Sequence, residues 1–226
     1  YAFLAGYFIG DALDGLVARA TNTGNAFGRE FDIIADHMAQ CVGPAMIVFI
    51  TYRDATLPGP LHELFGATGS FAVGAALASL LIITGSVRHA RSAVASADFP
   101  MAYVGLPRTV SSFIIISYLN SSLVQFEGAL WGGVVLLILV AIANIVPLPY
   151  RTHRGRRLVW WVRLLVLGFF VTTGVALLFF RDHVFDVTLF WLFGYAAVGW
   201  FEMQPDELRD FFAHAREWSE RVRSAR

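Results

Sequence analysis

Long apolar runs alternate with short polar breaks along the chain, and this pattern predicts a bundle of membrane helices. Most of the runs reach the ~17–25 apolar residues with which a helix crosses the hydrocarbon core of a bilayer. We predict an all-α, polytopic membrane helical bundle with about seven transmembrane helices in this chain. Their predicted ranges are Tyr1–Arg19, Arg29–Tyr52, Phe65–Arg88, Arg108–Ser122, Gly128–Val146, Leu158–Phe180 and Phe185–Phe201.

The breaks between these runs hold residues that end helices. We predict a proline-containing loop over Arg53–Glu63, a polar connection over His89–Pro107 and a basic loop over Pro147–Arg157. Pro44 lies inside the second predicted helix and should kink it. The backbone carbonyl that this proline frees should be bound by a neighbouring group.

The C-terminal segment, Gln204–Arg226, alternates acidic and basic residues around apolar positions near helical spacing. This pattern predicts an amphipathic surface helix. We therefore divide the chain into a transmembrane domain, residues 1–203, and a cytoplasmic tail helix, residues 204–226. No internal repeat is visible. Because the chain starts at Tyr1 within a predicted helix and without Met, we expect the native protein to extend upstream by at least one helix.

Composition agrees with a membrane protein and excludes an ordinary soluble domain. The 226 residues are 57% hydrophobic and 15% charged, and the mean hydropathy is +0.60. A net charge of zero argues against a nucleic-acid partner, because no basic field exists to neutralise phosphates. Cys41 is the single cysteine, so we predict no intramolecular disulfide and a packing role for its thiol.

The arginines predict the orientation of the bundle. All 17 basic residues are arginine, and they concentrate on alternate connections and on the tail. The positive-inside rule places those connections in the cytoplasm. We therefore expect a multi-pass integral protein of the cell membrane whose first turn, between Arg19 and Arg29, faces the cytoplasm.

Four carboxylates stand at the facing ends of the first two predicted helices. Asp11 and Asp14 are spaced i,i+3, and Asp32 and Asp36 are spaced i,i+4, so each pair projects from one helix face. An ionised acid inside a membrane costs about 2.5–3.5 kcal/mol, which requires compensation. If Ala20–Gly28 turns the chain back, the two pairs lie at equal depth. Converging carboxylates predict a one- or two-metal site for Mg²⁺, Mn²⁺ or Ca²⁺.

Other residues near these acids suit a phosphate group. Gly15 follows Asp14 and Gly28 opens the next helix, and both allow a ligand close to the backbone. Arg19 returns to the acid face two turns from Asp11, where a guanidinium can hold a phosphate. For a single acid, a helix-packing hydrogen bond is the alternative, and for two acids a proton relay is another.

The whole pattern, D-x2-D-G-x2-A-R-x8-G-x3-D-x3-D, resembles the signature of the CDP-alcohol phosphotransferase family. The eight matching positions are Asp11, Asp14, Gly15, Ala18, Arg19, Gly28, Asp32 and Asp36. The resemblance implies transfer of a phosphatidyl or archaetidyl group from CDP-diacylglycerol or CDP-archaeol to an alcohol, with release of CMP. It also implies contact with membrane lipids and a homodimer.

Site roles follow from the same resemblance. It implies that Asp11, Asp14 and Asp32 hold the divalent metal, and that Asp36 is the general base while also lying near the metal. The CDP moiety is then held by Gly15, Ala18, Arg19 and Gly28.

Three further segments resemble the phosphatidylserine and archaetidylserine synthase branch. They are Ile34–Asp36 followed by Pro44, then Tyr103–Pro107, and finally Val146–Tyr150. This resemblance predicts L-serine as the acceptor.

The carboxylate of serine needs a cationic partner. Arg91, Arg108 and Arg151 lie on connections that could supply one. Glycerol 3-phosphate or inositol phosphate would use similar arginines and remain alternative acceptors. We interpret His37 and His89 as hydrogen-bonded interfacial groups.

From a different class, a divalent metal transporter could use the same acids. Such a transporter would be expected to show inverted repeats or broken helices, and neither is visible in the sequence.

Overall fold

The computed structural model describes residues 20, 26–95, 102–126, 128–151, 160–198 and 205–224 of the chain. Helices dominate these ranges. They are α1 (Ala26–His37), α2 (Gly43–Asp54), α3 (Pro60–Ala95), α4 (Arg108–Leu119), α5 (Ala129–Ile145), α6 (Trp160–Phe179), α7 (Val184–Val198) and α8 (Pro205–Ser224). Two short strands are β1 (Ala102–Val104) and β2 (Pro149–Arg151). The predicted helix Tyr1–Arg19 lies outside the described residues.

A π-helical turn, Met38–Val42, joins α1 to α2 inside the helix predicted over Arg29–Tyr52. Pro44 lies in the first turn of α2 and has no N–H, so the carbonyl of Gln40, four residues earlier, loses its α-helical donor. The Ser112 hydroxyl of α4 donates to that carbonyl instead. The prediction that a neighbour binds the carbonyl freed by Pro44 is therefore confirmed.

The third predicted helix is longer at both ends than its apolar run. α3 begins at Pro60, is interrupted at Gly66 with φ 50° and ψ −142°, and continues to Ala95. The prediction that a connection starts at His89 is wrong, because His89 and Arg91 both lie on α3. No Gly or Pro occurs between His89 and Pro100 to break the helix. The polar side chains of this segment alone did not end it.

The next four predicted helices agree with α4, α5, α6 and α7 to within a helical turn at each end. After α4, a 3₁₀ turn over Ser122–Gln125 begins at the last residue of the predicted range. Its first amide, the N–H of Ser122, donates to Asp186 Oδ1 of α7 at 2.8 Å. This bond links the end of α4 to α7.

Two of the described helical stretches are long and apolar enough to cross a membrane. Ala26–Asp54 has 29 residues and contains an 18-residue window with mean hydropathy 1.6, and Pro60–Arg91 has 32 residues and contains such a window with mean hydropathy 1.9. Ala129–Ile145 and Arg163–Phe179 are apolar but shorter. α4 spans only ~18 Å by its helical rise, against a hydrocarbon core of ~30 Å. Seven crossings therefore stay a prediction.

The core packs α2, α3 and α5 together. Tyr52 of α2 is fully buried, and its hydroxyl donates to the Leu130 carbonyl of α5 at 2.7 Å. A Cβ added to Gly74 of α3 would lie 2.9 Å from the Phe49 carbonyl oxygen of α2, so these two backbones touch. Contacts of this kind hold α3 and α5 against α2, and the C-terminal ends of α3 and α5 carry polar groups described below.

The described residues are mostly helical, as predicted, but they also contain a short antiparallel ribbon that the sequence analysis did not predict. Ala102 of β1 lies opposite Arg151 of β2, and Tyr103 lies opposite Tyr150. Beyond β1, the Gly105 N–H donates to the Leu148 carbonyl at 2.7 Å. Pairing between segments this far apart in sequence depends on tertiary context, and strands this short leave no alternating pattern to detect.

The tail contains the amphipathic helix α8, as its spacing predicted. Phe211 is only 2% exposed and packs against Ala102 of β1, with Val104 and Leu208 beside them. The next residue, Phe212, is 42% exposed. The apolar face of α8 therefore lies on the ribbon.

Candidate functional site

The acidic face of α1 carries the part of the signature that the structure describes. Gly28, Asp32 and Asp36 follow one another at intervals of four residues, so they form one line along the helix. Gly28 and Asp32 are exposed, and the Asp36 side chain is 28% exposed. The other predicted members are outside the described residues, and their convergence stays a prediction: Asp11, Asp14, Gly15, Ala18 and Arg19.

Arg108 stands next to the most deeply placed of these acids. It opens α4 directly after Pro107, and its Nη2 lies 4.0 Å from Asp36 Oδ2. The Arg108 side chain is 17% exposed. Because both side chains are only partly exposed to water, their attraction is stronger than it would be on an open surface.

Two histidines extend this polar cluster from α1 and α3. His89 Nδ1 lies 2.9 Å from Arg108 Nη1. A guanidinium can only donate, so Nδ1 accepts and the ring of His89 is neutral with its proton on Nε2. His37 Nε2 lies 3.3 Å from Ser86 Oγ, and the two imidazole centroids are 5.3 Å apart. The prediction that both histidines are hydrogen-bonded groups is confirmed.

Two further arginines of α3 bind backbone carbonyls. Arg88 is 7% exposed, and its Nη2 donates to the Gly105 carbonyl at 3.3 Å. Arg91 Nη1 donates to the carbonyl of Ile145, the last residue of α5, where a cation also complements the helix dipole. Arg151 pairs through its backbone in β2. Acceptor binding by Arg91 and Arg151 stays a prediction.

Buried polar residues that the sequence analysis did not single out lie behind Arg108. Ser111 Oγ donates to Asn144 Oδ1 at 2.7 Å, and both residues are buried. With Gln40, Cys41 and Arg108 they line a cavity of about 20 Å³, which has room for one water molecule. The sequence feature that could have pointed to this cluster is Asn144, a lone Asn inside the apolar helix α5, since such residues mark helix contacts in membranes.

The Cys41 thiol packs between helices, as predicted. It is buried, and its Sγ lies 3.5 Å from the Leu81 carbonyl oxygen of α3. A Cβ added to Gly85 would come within 2.2 Å of this sulfur. The close approach of α3 to the π-helical turn therefore depends on a glycine and a small residue facing each other.

The acidic face fits a hard divalent cation in the kind of donor it offers. Asp32 and Asp36 supply carboxylate oxygens from one line of α1, and Mg²⁺, Mn²⁺ and Ca²⁺ prefer oxygen ligands. Within the described ranges, no group of three or more His, Cys, Asp or Glu side chains is gathered as a metal site. A complete ligand set therefore needs further acids, and the predicted candidates are Asp11 and Asp14.

Comparison with known proteins agrees with the signature. The model of the family described as CDP-alcohol phosphatidyltransferase matches residues 1–145. The chain is 29% identical over 166 residues to the CDP-diacylglycerol–serine O-phosphatidyltransferase of Helicobacter pylori strain J99. It is 28% identical over 166 residues to the protein of the same name from strain 26695. Each alignment covers 70% of this chain, and the chain spans 61% of the length of these curated relatives.

Proposed function

Because this chain belongs to the CDP-alcohol phosphatidyltransferase family, we propose that it transfers the phosphatidyl group of a CDP-linked lipid to the hydroxyl of L-serine and releases CMP. The donor is CDP-diacylglycerol or CDP-archaeol. The observation that carries serine as the acceptor is the identity of 29% over 166 residues to a protein named as a serine phosphatidyltransferase. The segments Tyr103–Val104 and Pro149–Tyr150, which resemble the serine branch, also pair in the ribbon.

The reaction is a displacement at phosphorus. The serine oxygen forms a bond to the phosphorus of the phosphatidyl group, the bond from that phosphorus to the CMP oxygen breaks, and the hydroxyl proton leaves. Such a reaction depends on positioning, on neutralising charge and on one proton acceptor. Asp36 is our candidate acceptor, since its carboxylate is partly open to solvent and lies 4.0 Å from the Arg108 guanidinium.

The acidic face also organises the donor. Gly28 has no side chain and leaves the exposed line of α1 open above Asp32. We assign the CDP moiety to Gly28 together with Gly15, Ala18 and Arg19. A divalent cation held by Asp11, Asp14, Asp32 and Asp36 would neutralise the charge of the pyrophosphate and of the leaving CMP.

The surface of the bundle supports a multi-pass position in the membrane. On α6, Phe170 is 61% exposed, Leu178 is 69% exposed and Phe179 is 74% exposed. An apolar surface of this kind suits lipid tails or a second copy of the chain. We propose that the bundle crosses the cell membrane several times as a homodimer, with the acidic site facing the cytoplasm.

Release of CMP by the purified full-length chain tests the proposal. The protein is incubated in nanodiscs with CDP-diacylglycerol, Mg²⁺ or Mn²⁺, and either L-serine, glycerol 3-phosphate or inositol phosphate. We expect serine to support CMP release and lipid product. Release with glycerol 3-phosphate or inositol phosphate but not with serine would overturn the acceptor. Metal flux into liposomes without CMP release would overturn the enzyme.

Substitution of the acids tests their roles. Asp36→Asn should lower kcat by ~10²–10⁴-fold with little change in donor affinity, since a general base acts in the transition state. Asp32→Asn should also weaken metal binding, measured directly by calorimetry. Glu30→Gln is the matched control, because Glu30 is an exposed acid of α1 that lies off this line. Loss of donor binding in parallel with rate would make Asp36 a ligand and not the base.

A further inference from the structure

An imidazole, a guanidinium and a carboxylate follow one another across three helices at the acidic site. His89 of α3 is 2.9 Å from Arg108 of α4, and Arg108 is 4.0 Å from Asp36 of α1. We propose that His89 is a positioning residue that holds Arg108 beside Asp36 through a hydrogen bond to its Nδ1. This inference rests on the function proposed above.

The Arg108 side chain needs a second contact to fix its position, because it is long and has many rotamers. Ordering such a side chain carries a large conformational entropy cost, and 4.0 Å to Asp36 is the limit of an ion pair. The bond from Nη1 to His89 fixes one edge of the planar guanidinium and turns Nη2 towards the acid. A neutral imidazole is suited to this task, because it accepts a hydrogen bond without cancelling the positive charge of the arginine.

His89 itself stands on a well-anchored part of α3. The neighbouring Arg88 binds the Gly105 carbonyl, and Arg91 binds the Ile145 carbonyl, so α3 is tied down on both sides of His89. The ring of His37 lies 5.3 Å from that of His89 and is bonded to Ser86. A residue supported in this way keeps its own geometry when it orients a neighbour.

The expected consequence is a specific loss of acceptor binding. An arginine held beside the base can pair with the serine carboxylate and bring the serine hydroxyl to Asp36. Without His89 the guanidinium samples other rotamers, so the apparent KM for serine should rise about tenfold. The affinity for CDP-diacylglycerol should stay close to that of the wild type, since the signature residues assigned to the donor are unchanged.

Three substitutions at one position test the hydrogen bond. His89→Asn places an amide oxygen near the position of Nδ1 and keeps an acceptor, whereas His89→Gln moves the acceptor outwards and His89→Ala removes it. We expect near-normal KM for serine in His89→Asn and a raised KM in the other two. His62→Ala is the control, because His62 is an exposed histidine at the opposite end of α3.

A double-mutant cycle and a spectrum separate positioning from a general structural effect. His89→Ala should add little to the serine KM of Arg108→Gln, because the partner is already absent. In the ¹⁵N NMR spectrum of the histidine-labelled full chain in nanodiscs, His89 Nδ1 should be unprotonated and should shift in Arg108→Gln. Its resonance is assigned from the spectrum of His89→Asn.

The outcomes distinguish the two proposals. If the wild type transfers nothing to serine but the His89 Nδ1 resonance responds to Arg108→Gln, the proposed function fails and the positioning contact stands. If serine is the acceptor but His89→Asn behaves like His89→Ala, the positioning role is overturned. A protonated Nδ1, or a full effect of His89→Ala in the Arg108→Gln background, would overturn it as well.

Discussion

At the scale of single residues, the site depends on polar groups that satisfy one another inside an apolar bundle. Asn144 accepts a hydrogen bond from the Ser111 hydroxyl, and the Gln40 carbonyl accepts one from the Ser112 hydroxyl. Arg108 lies between His89 and Asp36. An unsatisfied group in such a setting costs about 1–3 kcal/mol, so each contact constrains its neighbours. Several residues outside the signature therefore help to fix the surroundings of Asp36.

Arg108→Lys should raise the apparent KM for serine about 10–100-fold and lower kcat less. A lysine ammonium lacks the planar fork that reaches an imidazole and a carboxylate at once. Steady-state kinetics with varied serine measures both constants. Arg53→Lys is the matched control, since Arg53 is 44% exposed and pairs with its neighbour Asp54 at 2.7 Å. An unchanged serine KM in Arg108→Lys would contradict the assignment.

Ser112→Ala should lower the free energy of unfolding by about 1–3 kcal/mol, because the Gln40 carbonyl loses this donor. Adding Pro44→Ala supplies a backbone N–H within the same helix, so the double variant should lose less than the sum of the single variants. Denaturant unfolding in micelles measures each value. Ser79→Ala, at an exposed serine of α3, serves as the control. Strict additivity would argue against a shared carbonyl.

Sequence spacing was enough to place Asp32 and Asp36 on one face, because i,i+4 geometry is local to a helix. It was not enough to pair His89 with Arg108 or Ser111 with Asn144. Those pairs depend on how helices far apart in the chain align, which no local periodicity contains. The lone Asn144 in an apolar run was a signal that the residue matters, but the identity of its partner was not in the sequence.

At the scale of elements, the ribbon organises the end of the bundle that carries Arg108. β1 and β2 join the connection after α3 to the connection after α5, and Gly105 and Leu106 then bond to Leu148 and Ala143. Helix ranges followed from apolar runs because burial in lipid or core sets their length. The ribbon and the extension of α3 to Ala95 could not be predicted, since neither depends on an apolar run.

Gly105→Ala should lower the free energy of unfolding by about 1–3 kcal/mol and raise the serine KM through Arg108. Gly105 has φ 80°, and an added Cβ would lie 3.0 Å from the Asn144 carbonyl oxygen. Unfolding and kinetics on the same preparation measure both effects. Gly132→Ala is the matched control: its Cβ meets open space, and alanine inside a helix gains about 0.5–1 kcal/mol. Equal stabilities for the two variants would contradict the argument.

At the scale of the whole molecule, the arginine pattern and the apolar exterior both agree with the predicted position of the bundle in a membrane. Arg88, Arg91 and Arg108 gather at one end of the bundle, where Asp36 also lies. The stretch that runs from α1 through α2 and the helix α3 suit a bilayer by length, whereas α4 is too short to cross one without its flanking turns. Length alone could not decide the number of crossings.

Cysteine labelling should place the two ends of the bundle on opposite sides of the membrane. In a Cys41→Ala background, Glu220→Cys on α8 should react with a membrane-impermeant maleimide only in inside-out vesicles. Glu63→Cys, near the start of α3, should react in intact cells. Both positions are exposed, so each can be labelled wherever the reagent reaches it. The positive-inside rule predicts this result, and the reversed pattern would contradict it.

The π-helical turn at Met38–Val42 also sets a rotational phase. Each residue advances an α-helix by ~100°, and a turn closed by i→i+5 bonds holds one residue more than a regular turn. The line of Asp32 and Asp36 is therefore shifted by about 100° from the direction that an uninterrupted α-helix would give it relative to the buried line of α2, which holds Pro44, Ala45, Val48 and Tyr52. Removing one residue from this turn would leave the hydropathy of the chain almost unchanged, but it would point the acids in another direction. The geometry of the site therefore depends on the number of residues in the turn as well as on their chemistry.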